Sequence, residues 1–340
     1  MHALPIDLLE AIEDRCSQHL YFWLPFFMTN SNTFDHSPVM VEQIAELAAD
    51  LPTGVFADLT LGGAGHGVAV LDANDDLSLF GVDQDDMALA AAGSRLAPYE
   101  SRATLVKTRF DGAADALRDA GHDEVSGFLM DLGVSSPQLD LAERGFSYRN
   151  DGPLDMRMDT TQAQTAADVV NGYSVGELID VLVSYGDERH AKRIAHAIVD
   201  GRPFTSTASL AETIAGALPA AVRRKSTGHP AKRSFQAIRI EVNDELAILG
   251  DTVDSMVDML SAGGAGFVLT YHSGEDRIVK DRMRRTIEAG ALAGMAPQSD
   301  YRWLWRGART PSADEVEANQ RARSARLRAI TRVPETAGVS

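Results

Sequence analysis

Cysteine is almost missing from the sequence. The one thiol, Cys16, cannot form an intrachain disulfide or a cysteine-rich zinc site, which excludes a secreted, cross-linked scaffold. Long apolar runs are missing too. The longest near the start, Leu20 to Phe27, has eight residues and contains Pro25, whereas a spanning helix needs about 20. Neither a basic leader region nor a small-residue cleavage site accompanies it, so a soluble, cytoplasmic protein is expected. There is no G-x-x-x-x-G-K-[ST] sequence and hence no P-loop, no H-E-x-x-H or paired-histidine site, no repeat and no low-complexity tract. No metal is expected. Basic residues are scarce at one end only. Residues 1–140 hold 23 acidic and 6 basic residues, so the whole net charge of -17 lies there, while residues 141–340 carry 26 of each. Within that neutral part, residues 213–240 contain no Asp or Glu but carry Arg223, Arg224, Lys225, Lys232, Arg233 and Arg239, and Arg321, Arg323, Arg326, Arg328 and Arg332 cluster near the end. An acidic chain does not bind phosphate indiscriminately, yet such local patches can face a polyanion or be plain solvated surface.

What is present describes a globular chain. Its 340 residues suggest two domains or one large domain with an insertion, and 44% hydrophobic residues suffice for a core. Residues 38–51 read as a helix, with Ser37 as cap and Pro38 at the first position. Short apolar strands are predicted at 55–59, 77–82, 103–106 and 125–132, alternating with helices that follow the glycine-rich loop Gly62-Gly63-Ala64-Gly65-His66-Gly67 and cover 87–96 and 111–120. This alternation calls for a parallel, doubly wound sheet with helices on both faces. From 139 to 243 the pattern turns helical, with helices predicted at 175–185, 188–199 and 210–218. Strand character returns at 265–271 after a turn at 261–264. Trp303 and Trp305 alternate in a further strand and are read as packing residues. The economical reading is one α/β domain carrying a helical insertion of about 100 residues between its fourth and fifth strands.

In open α/β sheets ligands bind at the carboxyl ends of the strands, where the strand order reverses. The glycine loop, Asp83, Phe110 and Asp131 all fall at strand ends. The loop does not fit G-x-G-x-x-G, because Val68 or Val70 stands where the third glycine would be. What remains suits a nucleoside without a pyrophosphate: the Asp83 carboxylate can accept both ribose hydroxyls, and Phe110 can cover an adenine ring. Asp131 opens the run Asp131-Leu132-Gly133-Val134-Ser135-Ser136-Pro137-Gln138. A carboxylate there either caps the next helix or accepts an N–H of an exocyclic amine whose lone pair is delocalised into its ring. His66 lines the same pocket or shapes the turn. Arg189, Lys192, Arg193 and His196 share one helical face, which either tracks an RNA backbone or is solvated and paired with Asp187 and Glu188. His272 follows a strand near the same edge and is a candidate for substrate contact.

These residues lie within stretches that resemble a known family. His36-Ser37-Pro38-Val39-Met40, the loop from Gly62 to His66, the run from Asp131 to Asp140, Ala142-Glu143-Arg144-Gly145-Phe146-Ser147 and the stretch from Asp151 to Asp159 are similar to motifs of the RsmH (MraW) methyltransferases. So are Tyr185 to Arg189, His229 to Ala237, His272-Ser273 with Glu275-Asp276-Arg277-Ile278-Val279-Lys280, and Arg321-Ala322-Arg323-Ser324. The resemblance covers about residues 36–333. It implies a Rossmann-like class I methyltransferase domain at 36–138 and 244–335, with a mostly helical substrate-recognition domain inserted at 139–243. Residues 1–35 match nothing in the family and read as an N-terminal extension, disordered or arising from a start placed upstream of Met28.

The implied reaction is methylation of exocyclic N4 of cytidine 1402 in 16S rRNA of the 30S subunit, with S-adenosylmethionine as cofactor. Carried over residue by residue, the cofactor contacts are Ala64, Gly65, His66, Asp83, Phe110, Asp131 and Gln138, with Asp131 catalytic. Arg223, Arg224, Lys225, Lys232, Arg233 and His272 are the candidates for substrate contact. A homodimer is compatible with the resemblance and not fixed by it. Two departures stand out. Ala64 occupies a position where the family usually has glycine, which is tolerable if the backbone there has negative φ and spare room. Gly274 replaces a bulkier residue and is expected to loosen its loop. Methylation at pyrimidine C5 goes through a cysteine adduct, and the lone Cys16 lies before the methyltransferase region, which disfavours that chemistry. Two other readings stay open: an amino-methyltransferase of the same fold acting on DNA, another RNA or a small molecule, and a non-catalytic RNA-binding assembly factor.

Overall fold

The computed structural model describes residues 38–225, 228–291 and 300–334. The extension and the Ser37 cap lie outside the described residues. Among those described, no helix is long and apolar enough to cross a membrane.

Seven strands form one sheet in the order β3-β2-β1-β4-β5-β7-β6: β1 (Gly54–Asp58), β2 (Leu77–Asp83), β3 (Ala103–Lys107), β4 (Val125–Asp131), β5 (Leu260–Thr270), β6 (Tyr301–Trp303) and β7 (Arg326–Arg332). The first five are parallel; β7 runs antiparallel to β5 and β6 antiparallel to β7. β1 and β4 are covered on both faces, which is why they read as near-continuous apolar runs instead of alternating ones. The stretch 261–264, expected as a turn, belongs to β5. It forms an irregularity in which the pairing jumps from Val125↔Leu260 to Gly127↔Ala265, with Gly263 at φ 83°. At Gly266 a Cβ would fall 2.3 Å from the Phe128 ring, so glycine there makes room for the largest side chain of the neighbouring strand.

One face of the sheet is covered by α1 (Val41–Ala49), α2 (Gly65–Ala73) and α3 (Asp86–Leu96), around Ile44, Phe56, Leu71 and Phe267. The other is covered by α4 (Ala113–Asp119) together with the later helical stretches Glu245–Asp258 and Ser273–Ala291, with Phe80, Phe128, Leu249, Met256 and Met283 in its core. α1 begins later than expected. Met40, at φ 56°, precedes it, and the Met40 N–H is satisfied from far along the chain by Glu315 Oε1 at 2.6 Å.

Between β4 and β5 the chain is helical: α5 (Ser136–Asp140), α6 (Ala166–Gly172), α7 (Val175–Gly186), α8 (Ala191–Asp200), α9 (Thr207–Ala217), α10 (Ala220–Lys225), α11 (Lys232–Asn243) and α12 (Glu245–Asp258). Side chains from Phe146 to Val242 form a third core separate from those of the sheet. Capping boxes at Thr165/Asp168 and Ser174/Glu177 start α6 and α7. After β5 come α13 (Ser273–Ala291) and α14 (Ala313–Ala318).

Candidate active site

The strand order reverses between β1 and β4, the place where open α/β sheets bind ligands, and Asp58, Asp83 and Asp131 end β1, β2 and β4 there. Each carboxylate is held differently. Asp83 Oδ2 accepts the Gly62 N–H at 2.8 Å and Oδ1 the Asp85 N–H at 2.9 Å, so the glycine loop and the strand-two acid are one unit. Burial pushes the Asp83 carboxyl up to about 6, against those backbone donors. Asp131 does not cap a helix; Ser135 caps α5 instead. Asp131 Oδ1 accepts the Tyr271 hydroxyl at 2.6 Å, and Oδ2 lies 3.9 Å from His66 Nδ1. Burial raises the Asp131 carboxyl above the usual range, with His66 and Tyr271 pulling it back. Burial and the facing carboxylate together hold the Tyr271 phenol well above its ordinary value, so Tyr271 is the donor in that bond.

His66 has a fixed tautomer when neutral. Nε2 lies 2.9 Å from the Val39 carbonyl, which can only accept, so Nε2 carries the hydrogen and Nδ1 faces Asp131 with a lone pair. Asp58 joins the site without any signal in the sequence. Its Oδ1 accepts the Thr60 N–H at 3.2 Å, while Oδ2 is buried with no hydrogen-bond partner. Burial is the main reason its carboxyl is pushed up to about 7; His66 and the Thr60 N–H pull it down, and Asp131 and Asp83 add to the rise. A native pKa above the unfolded one stabilises below about pH 4, and that stability is lost as pH rises to about 7. Asp58→Asn should therefore be more stable than the parent above neutrality by up to about 4 kcal/mol, with little difference near pH 4. Thermal melts across pH test this, and a variant that melts lower than the parent at about pH 8 would show the ionised carboxylate to be structurally required.

The loop corrects one expectation. Ala64 has φ 58°, not a negative value. The turn from β1 into α2 demands the left-handed region there, at a cost of roughly 1–2 kcal/mol for a residue with a Cβ. It is tolerated because its methyl is buried in the core and its N–H donates to the Leu61 carbonyl at 2.8 Å. Gly274 is likewise not in a loose loop but in the first turn of α13. A Cβ there would fall 3.0 Å from His272 Nδ1, which accepts the Gly274 N–H at 3.1 Å. His272 Nε2 turns inward to 2.9 Å from Glu275 Oε1 without the alignment of a hydrogen bond. His272 thus belongs to a cluster with Glu275, Arg239 and Glu245 and also lines the surface beside Ser273. Arg239 grips both Glu245 oxygens at 2.7 and 2.8 Å. Burial raises the Glu275 carboxyl, but His272, Arg239 and the Tyr271 N–H bring it below its usual range.

Gln138 is buried, and its amide is largely committed: Oε1 accepts the Ser135 N–H and Nε2 donates to Asp85 Oδ2, both at 3.0 Å. The same Asp85 oxygen takes Arg144 at 2.8 Å, and Arg144 also donates to the Arg157 and Met158 carbonyls. Asn243 ties the end of α11 to Met156 and Met158. Arg144 and residues 156–158 of the runs from Ala142 and from Asp151 thereby hold the helical segment against the end of β2. Phe110 begins a short 3-10 turn after β3 and packs partly against the core.

The basic candidates are dispersed. Arg223, Arg224 and Lys232 are exposed, and Arg233 donates to the Asp187 carbonyl at 2.9 Å; the Lys225 side chain lies outside the described residues. Arg189, Lys192, Arg193 and His196 are exposed, but Glu188, expected as their surface partner, is buried and accepts the His190 N–H. Among the terminal arginines, Arg321 pairs with Asp140, Arg328 and Arg326 with Asp276, and Arg332 with Glu124. Trp303 and Trp305 pack against opposite cores, and Arg309 lies 4.1 Å over the Trp305 ring.

Comparison with known proteins gives a consistent likeness. Residues 33–333 match the profile of the MraW methylase family. The chain is 45% identical over 314 residues to ribosomal RNA small subunit methyltransferase H of Renibacterium salmoninarum, covering 88% of this chain and 95% of that protein. It is 48% identical to the protein of the same name from Thermobifida fusca over 311 residues, covering 88% and 94%.

Proposed function

The chain belongs to the MraW methylase family, and from that premise we propose that it is an S-adenosylmethionine-dependent methyltransferase of small-subunit ribosomal RNA, acting on exocyclic N4 of cytidine 1402 in 16S rRNA. The Asp131 carboxylate carries the N4 reading. One of its oxygens is fixed by Tyr271, and the other faces the crevice beside His66. That arrangement suits an aromatic amine: an acceptor fixed on one N–H restores electron density to the nitrogen and holds it in line, with no covalent step.

The crevice fits the cofactor on its own chemistry. S-adenosylmethionine supplies an electrophilic methyl on a positively charged sulfur, and three strand-end carboxylates, two of which raise the third's pKa, favour a cation among them. Asp83, already oriented by Gly62 and Asp85, would accept the ribose hydroxyls, and Phe110 would cover the base. The backbone at Ala64 and Gly65, His66, Asp131 and the second N–H of Gln138 complete the proposed contacts. Residues 36–138 and 244–335 form the catalytic domain in this reading. Residues 139–243 form the substrate-recognition domain, with Arg223, Arg224, Lys225, Lys232 and Arg233 as its RNA-facing candidates.

Tritiated methyl transfer to 30S subunits followed by nucleoside analysis tests the reaction. N4-methylcytidine is expected, and label in any other nucleoside would overturn the assignment. Tyr271→Phe tests how Asp131 is held. A hydrogen bond to a charged group is worth about 1.5–3 kcal/mol, so turnover should fall by roughly ten- to a hundredfold with cofactor affinity unchanged. Losing the donor also raises the Asp131 pKa, so the acidic limb of the kcat profile should move to higher pH. A rate loss with an unmoved limb would make Tyr271 a packing residue only.

A further inference from the structure

A cleft of about 340 Å³ opens between the β5–α13 turn and the start of β7. Tyr271, Ser273, Thr310, Arg323, Ser324 and Arg326 line it. Its one carboxylate, Asp276, is already satisfied: Arg328 grips both oxygens at 2.7 and 3.0 Å, and Arg326 stands 3.7 Å away with more than half of its side chain exposed. Two guanidinium groups on one carboxylate leave a surplus positive charge. Arg323 adds another, being exposed and without a carboxylate partner among the described residues. Two hydroxyls, on Thr310 and Ser324, add hydrogen-bond donors to the wall; that of Ser273 is already given to Asp187 Oδ2. Arginine forks with neutral donors around them are the chemistry of phosphate recognition.

The position of the cleft decides which phosphate. Tyr271 is a shared wall: it lines the cleft while its hydroxyl touches Asp131. At the opposite rim, Ser273 Oγ donates to Asp187 Oδ2 at 3.1 Å, and the Asp187 carbonyl accepts Arg233 from the helical segment. The cleft is therefore tied to the helical segment on one side and to Asp131 on the other, in a chain whose first 140 residues carry its whole net charge of -17 and repel a polyanion. We infer that this cleft seats a backbone phosphate of the RNA strand next to the nucleotide whose amine reaches Asp131. The inference rests on the reading of Asp131 as the methyl-transfer site.

Arg323→Ala and the double variant Arg323→Ala/Arg326→Ala test it with 30S subunits that lack the modification, over a series of salt concentrations. Removing one arginine–phosphate pair should reduce the slope of log KM against log salt by about one. The double variant should raise KM at least tenfold at low salt, while kcat stays within about twofold and S-adenosylmethionine affinity is unchanged. Arg323→Lys should retain most of the slope. Because Arg326 also neighbours Asp276, Arg323→Glu serves if the double variant melts early; Arg323 holds no carboxylate among the described residues, so its reversal acts on the ligand alone. An unchanged KM and salt slope in a folded variant would overturn the inference, and so would a fall in kcat at constant KM. Filter binding of the variants to the same subunits separates this inference from the reaction. If the parent transfers no methyl group, the proposed activity and the placement beside Asp131 fail, while a salt-dependent loss of binding in the variants still upholds the cleft as a phosphate site.

Discussion

Asp131→Asn should slow methyl transfer by at least about a hundredfold without making the protein less stable. The asparagine keeps the shape of the side chain and an oxygen for the Tyr271 hydroxyl, which lies 2.6 Å from Asp131 Oδ1 in the parent. Its amide would face His66 Nδ1, the acceptor nitrogen of the neutral ring. What disappears is the anionic acceptor for the substrate amine, so the loss falls mainly on kcat, with a smaller loss of cofactor affinity from the charge missing beside the sulfonium. The stability expectation has its own sign. Burial holds the Asp131 carboxyl above its usual range, so ionisation in the native state costs stability as pH rises, and an amide removes that cost. Single-turnover rates and thermal melts on the same preparation check both halves. Near-normal turnover would take Asp131 out of the chemistry, and a large drop in melting temperature would make it a structural residue.

The second large effect is on binding. Asp83→Ala should weaken S-adenosylmethionine affinity by at least about a hundredfold, because two hydroxyl donors lose a charged acceptor and each such bond is worth about 1.5–3 kcal/mol. The loop should suffer as well, since Gly62 and Asp85 lose the acceptor of their N–H groups. The pH dependence makes the test specific. The Asp83 carboxyl is pushed up to about 6 by burial. Ribose hydroxyls donate to its ionised form, so parental affinity is full above that value and falls as pH drops through it. Calorimetric titration of the parent should show that acid-side loss, and the alanine variant should show none. A parent whose affinity is flat from about pH 5 to pH 8 would remove Asp83 from the binding site.

Much of this architecture is local and therefore legible in the chain itself. Buried parallel strands leave apolar runs, and turns into helices leave glycine. Hence the four leading strands, the loop from Gly62 to Gly67 and the strand-end acids Asp83 and Asp131 all follow from the pattern of residues. The boundaries of β5 and α1 depart from that pattern because distant partners set them: β4 absorbs the Gly263 irregularity, and Glu315 satisfies Met40. Asp58 closes an apolar strand and looks like any strand-end residue; only its burial beside Asp83 and Asp131 marks it out. The partner of Asp131 lies 140 residues away, as Tyr271. Asp85, Gln138 and Arg144 meet only once the helical segment has closed on the end of β2. Charge in the sequence likewise says where arginines are, not which are neutralised. Among the described residues, four of the five terminal arginines have carboxylate neighbours, which leaves Arg323. Patterning depends on solvent exposure along one segment, so sequence alone determined the four leading parallel strands and the acids Asp83 and Asp131, but not β7 or Asp58. Hydrogen bonds and ion pairs depend on distances between segments, so only the tertiary structure decided which acid is held, by what, and which cations remain to meet a ligand.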